Sequence, residues 1–217
     1  MFSESWLYLQ IVFFNEFISM IKRVLFILMA LSIAIMPMTA QSKSEIKQVK
    51  KQAKTFAKER TKEGYQSLYP DDLVYLFEQY LYKARFGHVQ IIGMYEGGNS
   101  KSLGHKGALN NGLNEYATLM SSDIEGTIKS SESHVNGKEL DEIMAAFRNN
   151  VSHTVKGELQ ECVILYRELR KKKYDFIIYC LIDHEAAHAA KMLAMNLALE
   201  ELGLAQKYGD MVPDWID

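Results

Sequence analysis

Proline is scarce, with three residues in 217, and cysteine is scarcer still, with Cys162 and Cys180 alone. Few prolines and ordinary glycine exclude collagen-like repeats and Pro-rich disorder. Two cysteines so far apart make neither a disulfide-dense mini-protein nor a structural zinc knuckle. An excess of one charge is also missing: 25 Lys and Arg stand against 27 Asp and Glu, a net charge of −2. That balance gives no support to a dedicated nucleic-acid binder. Nor does any apolar run approach the roughly 20 residues of a membrane span. What is present, 48% hydrophobic and 24% charged residues, is the composition of an ordinary folded domain.

The longest apolar run, Val24 to Met36, follows Lys22-Arg23 and leads into Pro37-Met38-Thr39-Ala40-Gln41. A short basic start, about a dozen apolar residues and a small residue before a polar stretch predict a secretory signal peptide over 20–40, cleaved between Ala40 and Gln41. Met20 is a natural initiator, so residues 1–19 read as an upstream mis-start. The alternative is an uncut signal anchor that includes Trp6 to Ile18. Residues 41–217 then form one domain, long enough to bury roughly 70% of its unfolded surface without a staple. Secretion to the periplasm or beyond is the expected location.

The spacing predicts a basic helix over 43–63, with a thin apolar stripe of Ile46, Val49, Ala53, Phe56 and Ala57. Its lysines could touch anionic lipid or polymer, or simply stay solvated. The core is expected over 71–203. Asp71-Asp72 caps a second helix, His88 to Tyr95 reads as a strand, and 96–107 reads as a loop lacking any phosphate-gripping sequence. A long helix through Ala108 and Ile128 and another beyond Asn136-Gly137 follow. Two strands, Glu161–Leu169 and Tyr174–Ile182, should pair around the basic turn 170–173. Asp183 then caps a helix over 184–203. The order predicts an α+β fold: a small, mostly antiparallel sheet of about three strands covered by helices.

Several stretches carry a resemblance: Ala108–Ile128, Phe147-Arg148-Asn149-Asn150-Val151-Ser152, Gly157-Glu158-Leu159, Val163 to Arg167, and Lys173-Tyr174-Asp175-Phe176-Ile177-Ile178-Tyr179. With the lysine-rich first helix ending at Lys62-Glu63-Gly64-Tyr65, they resemble small secreted bacterial envelope proteins of the LPP-twenty lipoprotein type, related to the N-terminal domain of the flagellar protein FlgT. The resemblance implies a non-catalytic envelope or assembly role with an unidentified envelope partner and no cofactor. No cysteine follows the apolar run, so lipid attachment of the lipoprotein kind has no acceptor, and a cleaved chain is not integral to the membrane.

One motif points elsewhere. His184-Glu185-Ala186-Ala187-His188 is an HExxH string; in zinc metallopeptidases the two histidines of such a string, one turn apart, bind the metal and the Glu, here Glu185, activates the bound water. The alternative function is therefore a small zinc-dependent metallopeptidase. Zinc needs a third protein ligand. Glu200 lies 12 residues beyond His188, about 18 Å along the same helix, too far to help. Asp210, Asp214, Asp217 or an upstream residue such as His153 is left for that role, and nothing marks one of them. His184 also falls at a fraying first turn, beside Asp183. Finally, Cys162 and Cys180 fall nearly opposite each other in the expected hairpin, which makes them a candidate disulfide; a one-residue register change separates them onto opposite faces.

Overall fold

A computed structural model describes residues 43–131 and 135–216. The expected mis-start, signal peptide and Ala40–Gln41 cleavage point lie outside the described residues, as does Asp217. The chain divides into two compact units, Met1–Gln48 and Val49–Asp217. The sheet and both hydrophobic clusters belong to the larger unit.

Helix α1 spans 43–62 and α2 spans Leu73–Arg85, followed by strand β2, His88–Gly98; a two-residue strand β1, Gln66–Ser67, lies between the two helices. Then come α3 (Lys101–Ser130), α4 (Gly137–Lys156), β3 (Gln160–Leu169), β4 (Lys173–Asp183) and α5 (His184–Glu201). Two short helices, α6 (Ala205–Tyr208) and α7 (Val212–Ile216), close the chain. The fold is α+β, with a four-stranded antiparallel sheet in the order β1-β3-β4-β2.

Polar side chains start the helices where the sequence placed them. Asp72 accepts from the Val74 N–H, Asn136 from Glu139, and Asp183 from both Glu185 and Ala186. Each such cap contributes about 1 kcal/mol by satisfying an amide the helix leaves unpaired. Ser100 caps α3 through the Leu103 N–H, so residues 101–107 are helical and the expected loop shortens to a few residues. The basic turn between β3 and β4 holds Lys171 and Lys172 at φ 63° and 54°, a left-handed conformation unfavourable for side chains of this size.

β4 is the spine. Alternate side chains leave a strand on opposite faces, and Phe176, Ile178, Cys180 and Ile182 enter one hydrophobic cluster while Ile177, Tyr179 and Leu181 enter the other. The first cluster, filled by α3, α4, α5 and the C-terminal helices, includes the fully buried Phe147 and Trp215. The second joins Ala53 and Ala57 of α1 to Phe77 and Tyr80 of α2. There Phe77 and Tyr80 both meet the Tyr179 ring edge-on, at 5.2 and 5.4 Å between centroids. Arg60 of α1 donates to the Tyr179 hydroxyl at 2.9 Å, satisfying it inside an aromatic cluster.

α3 lies unusually close to β2. Gly93 faces Ala108 and Gly112 backbone to backbone, and Gly104 and Gly107 make room for the Phe176 and Tyr95 rings. This contact fixes α3 over the edge strand and shapes the groove that runs between them.

Candidate functional site

The HExxH residues sit at the start of α5. His184 and Glu185 are exposed and His188 is half-buried. The His184 backbone N–H donates to the Gly87 carbonyl, and the Asp183 carboxylate is engaged by the two amides it caps. Asp210 and Asp214 are exposed on the C-terminal segment, whereas His153 lines a shallow polar groove between α3 and α4 with Asn114, Thr118 and Arg148. Among the described residues no three His, Cys, Asp or Glu side chains converge as a metal-ion site.

The two cysteines are free thiols. Glu161 pairs with Cys180 and Val163 pairs with Tyr179, which leaves Cys162 as the extra residue of a bulge. The bulge turns Cys162 toward the α1–α2 cluster, while Cys180 belongs to the opposite one. Burial, reinforced by the nearby Glu161 carboxylate and Cys162, pushes the Cys180 thiol up to about 12. Burial also raises Cys162, against a smaller opposing effect of Lys83. Thiols so shifted stay protonated at neutral pH and are poor nucleophiles.

The feature with the geometry of a binding site is one that motif and spacing did not single out: the free edge of β2. Eleven residues long, β2 pairs with β4 on one side and, among the described residues, with no strand on the other. The His184 N–H bond to Gly87 O continues the β2–β4 ladder, so odd-numbered residues of β2 point their backbone groups at β4. His88, Gln90, Ile92 and Met94 therefore aim theirs outward. Asn111 of α3 donates to the outward Met94 carbonyl at 2.8 Å, which shows that position reachable by a donor from the helix side. Between this edge and α3 runs an open groove of about 530 Å³, lined by Ile92, Met94, Asn111, Glu115, Tyr116 and Leu119. Exposed apolar side chains flank the edge on both faces: Ile92 (41% exposed) and Met94 (49%) on the face shared with Gln90 and α2, and Leu119 (56%) on the α3 side. A signal was present in Val89-Gln90-Ile91-Ile92-Gly93-Met94-Tyr95, whose apolar residues do not alternate with polar ones as a one-sided strand requires.

No family model, no curated protein and no solved structure matches the chain. No helix among the described residues is long and apolar enough to cross a membrane.

Proposed function

We propose that this chain is a non-catalytic binding or assembly module of the bacterial cell envelope, secreted or periplasmic, which takes an extended segment of a partner protein onto the edge of β2. The observation that carries the reading is the free edge beside an apolar groove. An incoming strand would meet outward N–H and C=O groups at Gln90 and Ile92, and its side chains would reach Ile92, Met94 and Leu119. Strand addition of this kind draws affinity from main-chain hydrogen bonds and specificity from the pockets for alternate side chains. Long exposed apolar edges are otherwise an aggregation liability that proteins blunt. Among the described residues Asn111 blunts this one at Met94. The expected signal peptide and the resemblance to LPP-twenty envelope proteins support the location and the assembly role.

The test compares the full chain with Ile92→Pro and Leu119→Arg as bait in envelope extracts. Proline on the outer side of an edge strand deletes a docking amide but spares the β2–β4 ladder. The expected result is a partner recovered by the wild type and reduced at least tenfold by either substitution, with unchanged circular dichroism. Equal recovery by all three proteins, or none by any, contradicts the proposal. One zinc per wild-type chain by elemental analysis, lost in His188→Ala, would replace it with the metallopeptidase reading.

A further inference from the structure

α1 segregates its charge. At about 100° per residue, Lys50, Lys51, Lys54, Lys58 and Lys62 fall within about 120° of arc, a row about 18 Å long. All five are exposed, and between residues 50 and 62 the other residue of that arc is Thr61. Glu59 and Glu63 project to the far side, where Glu63 is engaged by Arg60 at 2.7 Å. None of the five lysines joins an ion pair among the described residues. Lys50–Lys54, Lys54–Lys58 and Lys58–Lys62 are like-charge neighbours four residues apart, an arrangement that destabilises a helix. A solvated surface helix relieves such repulsion by interleaving acids, and here the acids stand elsewhere.

We infer that this lysine row is a docking face for an anionic membrane surface. The opposite side of α1 is already used, with Ala53 and Ala57 buried and Arg60 bound to Tyr179, so the row points away from the sheet. A straight single-sign row suits a plane of phosphate headgroups, to which each lysine near the surface adds favourably and in a salt-dependent way. The expected signal peptide, 20–40, ends just before α1 starts at 43, so export would bring this helix to the membrane surface before the peptide is removed. Duplex DNA is the less favoured polyanion, because a net charge of −2 provides no wider basic surface to follow a backbone. The inference rests on α1 alone and does not depend on the β2 groove.

The test measures flotation of the full chain with vesicles of phosphatidylcholine, and with vesicles containing about one third phosphatidylglycerol. The apolar N-terminal run contributes equally to both compositions, so the difference between them reads the lysines. The expected result is tighter binding to the anionic vesicles, which collapses at about 0.5 M salt, where the Debye length is about 4 Å. Lys51→Gln, Lys54→Gln and Lys58→Gln together should reduce anionic binding on the order of 100-fold, from about fivefold per lysine. A control with Lys106→Gln, Lys138→Gln and Lys156→Gln makes the same change in net charge at exposed positions on other helices and should retain most of the preference. Equal binding to both compositions, an unaffected α1 variant, or an equal loss in the control overturns the inference. Tighter binding to duplex DNA than to the anionic vesicles does so too.

Discussion

Gly93→Ala is expected to destabilise the domain by about 3 kcal/mol or more, the upper range for forcing extra volume into a packed interior. A Cβ at that position would stand 1.9 Å from the Ala108 carbonyl oxygen and 3.0 Å from the Gly112 nitrogen. Both are backbone atoms of α3, so no side chain can rotate out of the way and the helix itself must shift. Gly126, in the same helix, is the natural comparison, because a Cβ there meets nothing within 4 Å. Gly126→Ala should be neutral or stabilise by about 0.5–1 kcal/mol, the helix preference of alanine over glycine. Urea denaturation of both variants checks the pair. A Gly93→Ala protein within about 1 kcal/mol of wild type would mean that α3 and β2 are not so closely packed.

The second large effect is expected at Asp175, a nearly buried carboxylate in β4. One oxygen accepts from Arg167 Nη2 at 2.6 Å and Nε at 3.2 Å, and the other accepts from the Gly97 N–H at 2.9 Å. Arg167 continues outward, donating to the Glu63 carbonyl and lying over the Tyr65 ring. One carboxylate thus ties together β3, β4, the end of β2 and the segment after α1. Asp175→Ala leaves the Gly97 amide and a guanidinium without their partner. Breaking a fully buried pair costs about 3–5 kcal/mol, but Arg167 is one-third exposed, which lowers the expectation to about 2–3 kcal/mol. For a domain of this size that is roughly 5–10 °C in Tm. Asp175→Asn, which can still accept from Gly97, should lose about half as much. A thermal midpoint for Asp175→Ala within about 2 °C of wild type contradicts the role assigned to this residue.

Local chemistry made much of this fold legible. Asp72, Asn136 and Asp183 mark helix starts because short side-chain oxygens reach the next amides. The hairpin of β3 and β4 was readable because its strands are adjacent in sequence and flank a polar turn. What escaped depends on partners distant along the chain. β1 is two residues long and carries no periodicity, and the pairing of β2 with β4 brings together residues about ninety apart. The bulge at Cys162 adds one residue to β3, and no composition rule marks it. Trp215 and Val212 complete the core from beyond Gly203, where the expected core ended. The groove eluded reading for the same reason: a strand is an edge only by virtue of which other strands pair with it.

The central claim, that the chain acts by taking a partner segment onto the edge of β2, is tested most directly by site-specific photocrosslinking in intact cells. The crosslinking residue is placed at Leu119, in the groove, and in a separate protein at Leu193, which is equally exposed on α5. The account predicts a discrete adduct from position 119, none from 193, and loss of the 119 adduct when Ile92→Pro is added. No adduct at 119, or the same adduct from both positions, would contradict it.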